Sequence, residues 1–252
     1  MKKTKLLMAM VLVSLMSCAQ RQQARVVVPE GVERPAAIAG EQILERKGYT
    51  VSYNKETRLP NWVAWHLTKE HTEGTVKRMG GYLEDDEVPE PRATRADYKK
   101  SGWSHGHMCP AGDNKWDEEA MRQSNLLTNM CPQDSKLNSG LWNSVEADCR
   151  RWARRYGDVY IVCGPILLNK QHETIGANRV VVPEAFFKVV LCLNGKPKAL
   201  GIIVRNNGGE KKKALYYNSI DEVERITGFD FFPLLPDDIE KKVEKKANKK
   251  DW

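Results

Sequence analysis

Apolar and polar positions first alternate at Tyr49, where YTVSYN carries the period-two pattern of a half-buried strand. The pattern recurs in NWVAWHLT from Asn61 to Thr68. From Lys69 to Arg95 the chain is charged and rich in Pro and Gly, which predicts mostly loop. KWDEEAMRQ predicts a short helix, with Asp117, Glu118 and Glu119 in the first turn, where the helix dipole favours acids. LLTNMCPQ follows and is broken by Pro132. From Asn138, NSGLWNSVEADCRRWARRYG places Leu141, Val145, Cys149 and Trp152 at spacings of three and four and ends at Gly157, the pattern of one amphipathic helix. VYIVCGPILL, VVVPEAFFKVVLCLN and ALGIIV are buried-strand patterns, the last two joined by an Asn194-Gly195 turn. SIDEVERITGFDFFPLLP begins with a Ser219/Glu222 capping box and predicts a further helix. Strands and helices do not alternate regularly and no repeat is visible, so the fold class is α+β.

The ends of the chain read differently. MKKTK is a basic leader, LLMAMVLVSLM an apolar stretch of signal-peptide length, and residues 1–17 are expected to be an export signal. LMSC, ending at Cys18, resembles the lipobox of a bacterial lipoprotein, which implies cleavage before Cys18 and lipidation of its thiol. The small residues Ser17, Cys18 and Ala19 also suit ordinary secretory cleavage. Residues 18–45 read as a polar tether, 46–236 as the folded domain, and 237–252 as a charged tail that is helical or frayed. The expected location is the cell envelope, on a lipid anchor, or outside the cell.

The net charge is +7, but Lys2, Lys3 and Lys5 belong to the leader, and the tail is nearly balanced. Nucleic acid is therefore compatible with the charge and not demanded by it. Arg150, Arg151, Arg154 and Arg155 form one run; such runs are mostly solvated helix faces, although Arg150 and Arg154 are candidate phosphate contacts. Beyond Cys18 lie five cysteines, which allow at most two bridges and match no zinc framework. They read as core or bridge residues.

The chemistry concentrates between Trp103 and Glu146. In an extended segment His105 and His107 project from the same face, and a neutral imidazole is the usual general base near neutral pH. Asn138 offers a hard carbonyl oxygen of the kind Mg²⁺ accepts, unless it serves as a helix cap. At about 100° per residue, Glu146 lies roughly 80° around the helix from Asn138 and about two turns along. It can lean toward the same side.

SHGH at Ser104–His107, NMCPQ at Asn129–Gln133, and then Asn138, Trp142 and Glu146 together resemble the DNA/RNA non-specific endonucleases of the ββα-metal class. That family carries Asp-Arg-Gly-His, then an Asn-x-x-Pro-Gln element, then Asn and Glu on the following helix. The likeness runs in order from about residue 49 to 236. It implies a ββα-metal (His-Me finger) fold with a central, mainly antiparallel sheet flanked by helices. It also implies metal-dependent hydrolysis of DNA and RNA to 5′-phosphate products. By the same resemblance, His107 is the general base, Asn138 ligates Mg²⁺ (with Mn²⁺ as the alternative), Glu146 binds or orients the metal's waters, and Asn129 positions the site. Ser104 and His105 stand where the family has Asp and Arg. His105 is then the stand-in phosphate contact, effective as a cation only when protonated, which implies a more acidic optimum. DNA and RNA are the expected partners, together with a membrane through Cys18; no protein partner is inferred.

Three other readings stand beside this one. The first is a catalytically impaired nucleic-acid-binding envelope protein of the same fold, suggested by Ser104 and His105. The second is a phosphoesterase for small substrates, which needs a closed pocket. The third is a zinc hydrolase, disfavoured because no His–Glu–His set has helical spacing.

Overall fold

Period-two alternation builds the centre of the molecule. In the computed structural model, which describes residues 28–208, 212–247 and 249–252, eleven strands form among the described residues. They are β1 (Gln42–Glu45), β2 (Thr50–Asn54), β3 (Leu59–Thr68), β4 (Ser104–His107), β5 (Met130–Gln133), β6 (Asp158–Ile166), β7 (Thr174–Ile175), β8 (Val180–Val181), β9 (Ala185–Cys192), β10 (Lys198–Arg205) and β11 (Tyr217–Asn218). Seven of them make one sheet in the order β1-β2-β3-β6-β9-β10-β11, antiparallel at every pairing. β4 and β5 form a separate antiparallel ribbon, as do β7 and β8.

Alternate residues of the central strands feed two cores. Val63, Trp65 and Leu67 of β3 and Phe186 and Val190 of β9 face one side, where they meet Val145, Cys149 and Trp152. Those three residues lie on α4 (Asn143–Tyr156), whose polar face remains toward solvent. Trp62, Ala64, Phe187 and Val189 face the other side and pack on Ile220 and Val223 of α5 (Ile220–Thr227) and Val243 of α6 (Asp237–Glu244). The sheet therefore lies between two helical layers, consistent with the α+β class and with the ββα-metal fold implied above. Because both faces are covered, β9 (AFFKVVLC) is buried at every position.

Three shorter helices are α1 (Arg95–Tyr98), α2 (Glu118–Ser124) and α3 (Ser135–Leu137). α2 starts where its acids predict, with the Asp117 side chain accepting from the amides of Glu119 and Ala120. At Ser219 only half of the expected capping box forms. Its hydroxyl accepts from the Glu222 amide, while the Glu222 carboxylate is paired with Arg225.

Several boundaries move. The segment expected as a tether contains β1, paired to β2, and buries Val32 completely and Leu44 to 3%. β1 was hidden because only one of its four residues faces the core, too few to display a period. The expected tail forms α6 and ends with Trp252 against Trp152, ring centroids 4.6 Å apart. Pro132 does not end a segment: it sits within β5, opposite His105, in a two-stranded ribbon where a missing N–H is tolerated. The single helix expected from Asn138 is instead α3, a π turn over Asn138–Trp142, and α4. Residues 1–27, including the signal segment and Cys18, lie outside the described residues. Among the described residues no helix is long and apolar enough to cross a membrane.

Candidate active site

The ribbon β4–β5 and helix α4 together enclose a cleft of about 380 Å³. It is lined by Arg78, His107, the Pro110–Gly112 turn, Asn138, Ser139, Asn143, Glu146 and Arg150. His107 is 6% exposed, and its Nε2 has no hydrogen-bond partner. Burial, then the neighbouring charge of Arg78, lowers its pKa to about 4, so it is a neutral imidazole above that pH. Trp142 donates from its indole nitrogen to the His107 carbonyl oxygen at 3.3 Å, which ties the end of β4 to the π turn.

That turn also sets the two side chains, Asn138 and Glu146, that offer oxygens to the cleft. The Asn143 amide reaches back five residues to the Asn138 carbonyl, so the turn absorbs one extra residue. Eight residues then advance the helix by about the angle of seven, and the Asn138-to-Glu146 offset shrinks from roughly 80° to roughly 20° in the opposite sense. Asn138 does not cap the helix. Asp134 does, accepting from Lys136 and Leu137 amides, which leaves the Asn138 side chain free for the cleft. The Asn138 Nδ2 donates to Ser104 Oγ over 3.5 Å, and Ser104 in turn donates to the Gln133 carbonyl at 2.7 Å. With the amide nitrogen held this way, the carbonyl oxygen is the atom left to ligate. Glu146 lines the same cleft, partly open to it. Burial pushes its carboxyl up to about 7, with Lys188, Arg150 and Arg78 opposing that rise and Asp113 adding to it. One amide oxygen and one carboxylate make a hard, sparse donor set, which fits a cation that keeps most of its water.

Asn129 is fully buried and has no access to the cleft. Its Oδ1 accepts from the Cys109 amide at 2.9 Å, and its Nδ2 donates to the carbonyls of Cys109 and Ser124, both at 2.8 Å. It therefore fastens the turn just beyond His107 to the start of β5. Gly106 is required by packing, because a Cβ there would come within 2.4 Å of the Gln133 side chain.

His105 departs from expectation. Its ring lies between those of Tyr82 and Tyr98, at centroid distances of 3.8 and 4.0 Å, and it does not line the cleft. Burial, then Arg95, lowers its pKa to about 4. It is neutral wherever the protein would work, so the acid-shifted optimum loses its basis. Of the two candidate arginines, Arg150 forms part of the cleft wall, where it pairs with Asp113 at 2.8 Å, while Arg154 lies exposed and does not line the cleft. Arg151 is engaged by Asp148 and Arg155 lies over the Tyr156 ring.

Two residues were missed. Arg78, exposed on the loop between β3 and α1, supplies a second cation to the cleft, and only a scatter of basic residues marked it in the sequence. Lys188 is completely buried on β9, its Nζ 4.8 Å from the ring centroids of both Trp65 and Trp142. A lysine inside the run FFKVVLC was the available signal, since a lone charge in a buried strand must be compensated. All five described cysteines are buried and unpaired, which makes them core residues.

A two-stranded ribbon and a helix around a cleft, set on a helix-flanked antiparallel sheet, make the ββα-metal fold. The family described as DNA/RNA non-specific endonuclease matches residues 32–238, and the chain belongs to it. It is 34% identical over 218 residues to "Nuclease EXOG, mitochondrial" of Xenopus laevis, covering 80% of this chain and 61% of that protein. It is 32% identical to the human "Endonuclease G, mitochondrial", covering 76% and 70%. It thus spans only about three-fifths of the length of the EXOG relatives it matches. A solved structure of EndoG with its inhibitor EndoGI superposes with a TM-score of 0.72 at 30% identity, covering 77% of this chain and 86% of that one.

The Asn129 clasp yields a prediction. Asn129→Ala should lower unfolding free energy by about 2–4 kcal/mol in urea denaturation, because it strands several buried backbone groups. A loss below the error of that measurement would mean that these bonds do not hold the turn.

Proposed function

We propose that this protein is a metal-dependent, sugar-non-specific endonuclease that hydrolyses phosphodiester bonds of DNA and RNA to 5′-phosphate products. The observation that carries the reading is the convergence of His107, Asn138 and Glu146 on one cleft, with His107 Nε2 unpartnered. Family membership and the relatives' names as nucleases support it.

In this reading His107, neutral, accepts the proton of the attacking water. The Asn138 carbonyl oxygen and Glu146 would hold Mg²⁺, or Mn²⁺ in its place, which supplies charge neutralisation at the phosphate and the leaving oxygen. Arg78 and Arg150 draw the backbone phosphates in, taking over the task assigned to His105. Phosphate contacts carry no sequence information, so both sugars and all bases are accepted. Ser104, by holding the Asn138 amide, fills a positioning role at the place of the family's Asp. This favours an active enzyme over the binding-only reading.

The test is cleavage of supercoiled plasmid and of structured RNA by the full chain, with Mg²⁺, with chelator, and as His107→Ala. Cutting of both polymers should stop with chelator and fall by about 10²–10⁴-fold in the variant, the range for a lost general base. Binding without cutting would transfer the assignment to a nucleic-acid-binding envelope protein.

The pH dependence follows from Glu146. A carboxyl raised to about 7 is protonated below that pH and ligates poorly, so cleavage at low Mg²⁺ should rise as pH increases through about 7. His107, neutral down to about 4, does not set this limb. Raising Mg²⁺ should move the midpoint to lower pH, because cation and proton compete for the same oxygen. A midpoint indifferent to Mg²⁺ would remove Glu146 from that role.

The proposal also takes the protein out of the cytoplasm, exported by residues 1–17 and anchored to the envelope through a lipidated Cys18. The basic leader, the apolar stretch and the Cys18 context support it. Incorporation of labelled fatty acid should be lost in Cys18→Ser; unlabelled wild-type protein would argue for plain secretion.

A further inference from the structure

On the face of the sheet opposite the cleft, α5 and α6 bring together Asp221, Glu224 and Glu244. Each offers an oxygen within 4.8 Å of the other two. Two features separate this group from an ordinary acidic patch. Glu244 is only 8% exposed, and its Oε1 is buried without a hydrogen-bond partner. Glu224 already accepts the Phe231 amide at 2.9 Å through Oε1, so that carboxylate is oriented by the backbone and is not swinging in solvent.

Among the described residues, the groups acting most strongly on Glu244 carry no compensating charge. Asp221, Glu224, Asp230 and Glu240 all act on Glu244 with the same sign. Lys241, the cation acting on Glu240, is engaged by Asp237 at 3.2 Å, and Arg225 is held by Glu222. Burial and then this like charge push the Glu244 carboxyl up to about 8. A buried carboxylate among four others is costly unless it is neutralised by a proton or by a cation.

We propose that Asp221, Glu224 and Glu244 form a calcium site that fastens α6 to α5. The donors are all hard oxygens, as Ca²⁺ prefers, and three carboxylates, mono- or bidentate, can supply up to six. Oxygens on opposite sides of a calcium ion lie about 4.8 Å apart, given Ca–O distances near 2.4 Å, so three oxygens within 4.8 Å of one another can share one ion. Asp221 and Glu224 stand one turn apart on α5, so both face the same direction, while Glu244 approaches from the last turn of α6. Next to it, Val243 is buried in the core of this face. The ion would thus bridge residues twenty positions apart and hold the carboxy-terminal helix on the sheet. Its role is structural, since the cleft lies beyond the sheet.

The experiment uses the full chain, metal-stripped, as Asn138→Ala so that the cleft's own ligand is absent, titrated calorimetrically with CaCl₂. One equivalent should bind, and the thermal midpoint should rise by several degrees at saturating calcium. Adding Glu244→Gln should weaken calcium binding at least tenfold and abolish the thermal shift. In a chain with Asn138 intact, Glu244→Gln should leave Mg²⁺-supported cleavage within twofold. Absence of calcium binding in the Asn138→Ala chain, or binding that survives Glu244→Gln, overturns the site. If Asn138→Ala does not fold, Asp221→Asn replaces it. At this exposed position the change should at least halve the calcium-induced thermal shift of the otherwise unaltered chain, and an undiminished shift overturns the proposal.

Discussion

A buried cation organises this protein. Lys188 lies fully inside the molecule between the rings of Trp65 and Trp142, with Cys163, Cys149, Glu146 and Asp113 acting on its charge. Moving such a charge out of water costs several kcal/mol unless it is compensated. The tryptophan faces and the acids each offset part of that cost. Asp113, in turn 1% exposed at its side chain, is tied to Arg150 and to the Trp65 indole. β3, β9, the Pro110–Asp113 turn and the π turn each contribute one member and α4 two, so none of these elements can settle without the others. The carboxylate of Glu146, which lines the cleft, therefore lies in the field of the same cluster that holds the core together.

This coupling explains why the site sits against one face of the sheet, between the β4–β5 ribbon, the π turn and α4. His107 is fixed from the backbone side by Trp142 and from the following turn by Asn129, so the imidazole enters the cleft with only its Nε2 uncommitted. Asn138 is similarly held through its amide by Ser104. Where the family has its Asp-Arg pair, Ser104 bonds the Asn138 amide and His105 is an aromatic spacer between two tyrosines, while the arginines that line the cleft are Arg78 and Arg150.

The parts of this arrangement legible in the sequence were those encoded locally. His107, Asn138 and Glu146 announce themselves because a short ribbon and one helix carry them at fixed spacing, and the main strands are legible because each repeats its period several times. Lys188 and Arg78 were not, because their roles depend on tertiary neighbours far away in the sequence. β1 was too short to show a pattern, and Val32 has no element around it to mark it as core. His105 looked equivalent to His107 from strand alternation alone. What separates them is the pair of tyrosines, one of them from a loop with no periodicity. The π turn left no trace either, since the apolar spacing through Leu141 and Val145 suits an unbroken helix.

That turn sets the phase between the stretches of chain on either side of Ser139 and Gly140. Removing one residue there would restore an uninterrupted α-helix and leave Asn138 and Glu146 about seven residues apart at the same offset of roughly 20°. Straightening the turn with every residue kept would instead swing Asn138 by about 100° relative to Glu146. The irregularity is a phase adjustment between two side chains of the cleft. In this stretch of chain, a deletion that removes the extra residue is a smaller perturbation of the cleft than a substitution that straightens the turn and preserves the count.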